Sequence, residues 1–227
     1  MAGGEPVAGG DLGWQVEPLT PALGARVVGA DLSQRTPEGD EMLIGLLARY
    51  LVLAFPDQRL TPEQHVELGT IFGEPYIHPF LESVPEHPAI LEVAKEPDQR
   101  ETFGGEHWHA DITFRDPPSS VSLLLADQLP PLGGDTLFAN QFLAYEALSP
   151  GLRATLGPMK AIHVYPGFGE GDPHTTAVHP VVRTHPVVGK WALFVNPAFV
   201  TRLEAMTGQE SDPILSYLYH HQVRPEF

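Results

Sequence analysis

Apolar runs and the residues that punctuate them divide the chain into a few helices and many short strands. Thr61-Pro62-Glu63-Gln64 combines a capping threonine, a first-turn proline and a glutamine at the third helical position, so a helix is predicted to start there and to stop by Gly73. Thr36-Pro37-Glu38 opens a second helix that runs through MLIGLLARY to residue 50, and the following LVLAF reads as a buried strand. Ser211-Asp212-Pro213 predicts a third helix near the C-terminus. Between these lie the strand-like runs WQVEPL, ARVVGADL, AILEVA, HWHADITF, VSLLLADQL, DTLFAN, AIHVYP, VVRTHP and WALFV. THPVVGKWALFV reads as a hairpin turning around Val188-Gly189-Lys190. The 22 glycines and 24 prolines are scattered without repeat, which suits short strands joined by turns. The pattern predicts an α+β chain: a sandwich or barrel with peripheral helices.

Length and composition narrow this picture. A chain of 227 residues can bury one substantial core. Residues 1–12, rich in glycine and alanine, are expected to be a disordered lead-in, and 13–227 a single domain. The formal net charge of -16 repels phosphate backbones and anionic lipid, so neither nucleic acid nor membrane is an expected partner. The absence of cysteine removes disulfides, thiolate metal sites and cysteine nucleophiles, leaving His, Asp and Glu as candidate metal ligands. The N-terminus lacks a basic and then apolar signal pattern, and no run approaches the ~20 apolar residues of a membrane span. A cytoplasmic protein is expected.

The candidate chemistry lies in HWHADITF, residues 107–114. On a strand His107, His109 and Asp111 would share one face, and Trp108, Ala110 and Ile112 the other. Alternate residues are about 6.6 Å apart, so two neighbours can converge on one ion but all three cannot. The pair is His107/His109 or His109/Asp111, and a divalent ion bound by nitrogen and carboxylate oxygen favours the latter. The bland alternative is a hydrogen-bonded surface pair. His179 and His185 each precede proline and read as strand-end or turn residues. His220 and His221 sit late in the third helix, where positive charge suits the C-terminal end.

Four motifs in order, WHADITF, GGDTLFAN with LAYEALS, HPVVRTHPVVGKWALFVN and, nearer the start, FGEPYIHP, resemble the taurine dioxygenase (TauD/TfdA) family of iron(II)- and 2-oxoglutarate-dependent oxygenases. The likeness runs from VVGADLS to HHQVRPEF. It implies a double-stranded β-helix, a jelly-roll or cupin-like barrel with peripheral helices. It also implies Fe(II) as cofactor and 2-oxoglutarate as cosubstrate, which is decarboxylated to succinate and CO2 while a C–H bond of a small organic substrate is hydroxylated. His109 and Asp111 match the His-x-Asp that supplies two ligands of the 2-His-1-carboxylate triad, which leaves His107 outside. Thr136 matches the threonine that contacts a 2-oxoglutarate carboxylate. His78 matches a histidine that contacts the sulfonate in taurine-specific members, and equally suits a structural loop role. Leu81 replaces a nearby tyrosine and Gly105 an asparagine of those members, so a substrate other than taurine is expected. Relatives often associate into homo-oligomers.

In the family the third ligand, a histidine, and an arginine that clamps 2-oxoglutarate follow the segment that ends here as RPEF. The resemblance therefore implies a fragment whose barrel is missing its last strands. Two alternatives stand beside it. One is a catalytically inactive truncated relative acting as a binding or regulatory protein; the other is a cupin-like metalloenzyme that uses no 2-oxoglutarate and completes its site with a histidine such as His163.

Overall fold

The computed structural model describes residues 8–9, 12–95 and 107–227, which gather in two compact units. The first comprises residues up to 95 together with 120–136. Its sheet has the order β1 (Ala8–Gly9), β2 (Trp14–Pro18), β3 (Ala25–Val28), β4 (Leu53–Ala54), with β3 and β4 parallel and the other pairs antiparallel. Thus two residues of the expected lead-in pair with β2, while residues 1–7 and 10–11 lie outside the described set. Alternation in β3 buries Ala25 and Val27 and exposes Arg26, and Val16 packs from β2 opposite Val27.

Helix α1 (Pro37–Tyr50) starts where Thr36 accepts the Gly39 amide, and delivers Leu43 and Leu46 to this core. It ends at Leu51, whose φ of 68° is left-handed, and β4 follows as a short, half-buried strand. Helix α2 (Pro62–Gly69) carries the expected reciprocal cap between Thr61 and Gln64, and a 3-10 turn ends it at Gly73. A hairpin of β5 (Ser83–Val84) and β6 (His87–Leu91) completes the unit.

The second unit comprises residues 107–119 and 137–227. Its antiparallel sheet places β7 (Lys160–Val164) between β11 (Val200–Leu203) and β8 (Thr176–Pro180). The predicted hairpin forms from β9 (Val182–Thr184) and β10 (Trp191–Leu193), closed by Gly189 at φ 71°. Helices α3 (Gln141–Glu146), α4 (Pro150–Leu156) and α5 (Gly208–His221) supply Ala144, Tyr145, Leu156, Leu215 and Leu218 to a core shared with Leu193 and Leu203.

Several sequence expectations are corrected here. HWHADITF forms no strand: residues 111–114 are a turn in which Ile112 has φ 56°. VSLLLADQL and DTLFAN are also irregular, because apolar content supplies strand propensity but a strand exists only where a neighbour completes its hydrogen-bond ladder. Among the described residues the sheets therefore form no closed barrel.

Helix α5 opens three residues earlier than predicted, on a cap between Thr207 and Glu210. Ser211 instead buries its hydroxyl and accepts the Leu203 amide. Thr207→Ala removes the acceptor for the Glu210 amide and is expected to cost about 1 kcal/mol, readable as a lower urea midpoint at unchanged slope. His221 is buried and donates from Nε2 to the Ala144 carbonyl (2.7 Å), tying α5 to α3 rather than serving as an exposed charge at the helix end.

Candidate metal-binding pair and cosubstrate residues

His109 and Asp111 are brought together by a turn. The chain leaves Trp108 in an irregular conformation and folds back at 111–114, which sets Nε2 of His109 3.2 Å from Oδ1 of Asp111. The other ring nitrogen, Nδ1, lies 2.8 Å from the His107 carbonyl oxygen and donates to it. The tautomer is thereby fixed: Nε2 presents its lone pair toward the carboxylate unless it carries a proton. The Asp111 hydrogen bond raises the His109 pKa above its ordinary value, opposed by partial burial.

The donor set also fits a divalent first-row metal. Two adjacent ligands at about 2.1 Å from such an ion lie about 3 Å apart, and a metal-ligating histidine commonly donates from its far nitrogen to a backbone carbonyl, as His109 does. Both side chains are partly exposed, at 32% and 47%, which leaves the pair open to an incoming ion. His107 contributes its carbonyl, so the alternative His107/His109 pairing is not what the geometry provides. His163 does not join the pair: its ring is fully buried with Nδ1 against Thr113, and no group of three or more metal-ligating side chains is present among the described residues.

Thr136 sits in an exposed irregular segment after Gly133 and Gly134, both at positive φ (79° and 76°), a backbone that side-chain-bearing residues seldom adopt. His78 is buried between the rings of Tyr76 and Phe80, and its Nδ1 accepts the Phe80 amide at 3.2 Å. That contact is local to its loop, and burial lowers its pKa. Gly105 lies outside the described residues.

Sequence reasoning passed over Phe199, whose ring stands edge-on to His109 at 6.4 Å and also packs on Phe114. His179, read from the sequence as a strand-end or turn residue, is the penultimate residue of β8, and its burial was not foreseen. No local signal marks either, since both act across more than 60 residues of chain.

A family model described as taurine catabolism dioxygenase TauD, TfdA family matches residues 15–227. An α-ketoglutarate-dependent sulfonate dioxygenase of Saccharomyces cerevisiae is 30% identical over 227 residues, covering 91% of this chain and 55% of the yeast protein. An α-ketoglutarate-dependent sulfate ester dioxygenase of Pseudomonas putida is 30% identical over 234 residues, covering 93% of this chain and 75% of that protein. The crystal structure of a taurine dioxygenase from Burkholderia xenovorans superposes with a TM-score of 0.77 at 34% identity, covering 94% of this chain and 74% of that one. The likeness assigns the chain to the double-stranded β-helix fold expected from its motifs. The chain spans just over half the length of the Schizosaccharomyces pombe and Saccharomyces cerevisiae relatives it matches.

Proposed function

Because the chain belongs to the taurine catabolism dioxygenase TauD, TfdA family, we propose that it carries the iron-binding pair and a cosubstrate contact of an Fe(II)- and 2-oxoglutarate-dependent dioxygenase. The observation that carries the reading is the convergence of His109 Nε2 and Asp111 Oδ1 with Nδ1 tied back to the chain. Bound there, iron(II) with 2-oxoglutarate and dioxygen supplies hydroxylation of a substrate C–H bond, with release of succinate and CO2.

The chain's own residues hold and orient. His109 gives a neutral nitrogen in a fixed tautomer, and Asp111 gives the anionic oxygen that offsets part of the metal charge. The Thr136 hydroxyl donates to a carboxylate of 2-oxoglutarate, a bond strengthened by the acceptor's charge. Phe199 walls one side of the His109 ring. His78 matches the family histidine that contacts an anionic substrate head, and the same contact is proposed for it here. The substrates named for the yeast and Pseudomonas relatives support a small organic sulfonate or sulfate ester as the substrate class, and Leu81 speaks against taurine itself.

The test is anaerobic Fe(II) titration of the chain with and without 2-oxoglutarate. Tighter Fe(II) binding in the presence of 2-oxoglutarate is expected, with Thr136→Val raising the 2-oxoglutarate concentration needed by several-fold through loss of a charge-assisted hydrogen bond. A chain that binds no Fe(II) would sink the proposal. One observation favours a second reading, a non-catalytic binding role: Leu124, Leu129 and Leu132 are 75% or more exposed. A well-folded monodisperse chain without affinity for divalent metal would favour it.

A further inference from the structure

Beneath the His109/Asp111 pair lies a buried polar network that the reaction itself does not use. Its centre is Thr113, two residues after Asp111, with only 1% of its surface exposed. The Thr113 hydroxyl lies 2.9 Å from Nδ1 of His163 on β7 and accepts from Nδ2 of Asn196 at 3.3 Å. Asn196 is oriented by its own loop, its Oδ1 accepting the amides of Ala198 and Phe199. With one hydroxyl proton to place, donation to Nδ1 leaves the fewest groups unpaired: only Nε2 of His163, which has no partner in its apolar surroundings beside Phe194. A second histidine grips the same turn from β8. Nε2 of His179 lies 2.9 Å from the Thr113 carbonyl oxygen and 3.0 Å from that of Arg115, so it is a shared N–H donor to both.

The turn needs such a grip. Ile112, the one residue between Asp111 and Thr113, is β-branched and sits at φ 56°, a conformation that persists only where the surroundings impose it. Relaxation at Ile112 would rotate Asp111 away from His109, because the two carbonyls and the hydroxyl on the far side are fixed. Phe114, fully buried against Tyr165 and Phe199, closes the turn from its apolar side.

We infer that His179, supported by the Thr113–Asn196–His163 contacts, is a positioning residue that holds the 112–115 turn in its left-handed form and so sets Asp111 at bonding distance from His109. The inference rests on the reading of that pair as metal ligands. It reaches the ligand through backbone carbonyls, so what counts is an N–H donor at this position and not an imidazole as such.

The test compares His179→Phe, which keeps ring volume and removes the donor, with His179→Gln, which restores an N–H. Two quantities are read: Mn(II) affinity by EPR titration, and amide hydrogen exchange of Arg115 in the metal-free chain, whose N–H bonds the Ile112 carbonyl. His179→Phe is expected to weaken Mn(II) binding by about 10-fold or more and to speed exchange at Arg115, and His179→Gln to recover most of both. Should His179→Phe fail to fold, Thr113→Val keeps side-chain shape and carries the test, with several-fold weaker Mn(II) binding at a native melting transition expected. Mn(II) binding abolished by Asp111→Ala but unmoved by His179→Phe, or by Thr113→Val in its place, overturns the inference alone, as does a glutamine no better than phenylalanine. If the wild-type chain does not bind Mn(II), or Asp111→Ala binds it as well as wild type, the metal reading falls and this inference with it.

Discussion

Asp111→Ala is expected to remove divalent-metal binding from this chain, measured as loss of the Mn(II) or anaerobic Fe(II) titration. The reason lies in the donor count: the turn offers two converging atoms, and a lone imidazole cannot hold the ion against water. The loss should exceed the roughly 10–100-fold typical of removing a group that only hydrogen-bonds a ligand, since a ligand itself is deleted. Stability should move little, because the His109–Asp111 pair is partly exposed and such pairs contribute about 0–1 kcal/mol.

The pH dependence of that small change has a definite sign. The Asp111 hydrogen bond raises the folded-state pKa of His109, so its stabilisation is fully present below the unfolded value near 6.5 and fades as pH rises through the raised value. The metal-free variant should therefore differ from wild type in acid and converge with it in base, while its His109 ring titrates at lower pH by NMR. Retained metal binding in Asp111→Ala would leave the pair as an ordinary ion pair.

What the sequence made legible was whatever is decided locally. The Thr36 and Thr61 caps, the Gly73 stop and the Val182–Leu193 hairpin each rest on a few adjacent residues, and each formed as read. The motif residues were found, but their local geometry was not. The alternation in HWHADITF suits a strand, whereas buried neighbours far along the chain hold it as a turn, His179 alone reaching back 64 and 66 residues. The turn still unites His109 with Asp111, because either conformation allows residues two apart to meet; only the turn also buries Thr113 and Phe114 side by side. DTLFAN and VSLLLADQL show the converse: their apolar pattern is strand-like, yet pairing is a property of a neighbouring strand and cannot be read from one segment. At α5 the miss was avoidable, since Thr207-x-x-Glu210 is a better start signal than Ser211-Asp212-Pro213 and was there to be seen.

The second large effect is expected in acid. His163 is fully enclosed by β7 and its neighbours; burial, together with His179 from β8 and Arg183 from β9, pushes its pKa down to about 3. Thr113, the group bonded to its Nδ1, carries no charge that could offset this. The folded chain therefore keeps the ring neutral where the unfolded chain, with an ordinary value of 6.5, takes up a proton. A depressed folded pKa gives stability that is whole above pH 6.5 and is lost as pH falls toward 3, at roughly 1.4 kcal/mol per pH unit once the unfolded ring is protonated. Over that window the loss reaches about 5 kcal/mol, comparable to the whole stability of many domains. His179 adds to it in the same direction, its pKa also lowered chiefly by burial.

Carboxylate protonation contributes to acid unfolding as well, so the difference between variants is what isolates the ring. His163→Asn keeps an acceptor near the Thr113 hydroxyl and carries no titratable group. Urea unfolding at intervals from pH 7 to pH 4 should show the wild-type stability falling more steeply than that of the variant, whatever baseline the smaller side chain sets. Parallel profiles would mean that His163 is protonated in the folded chain or already neutral in the unfolded one.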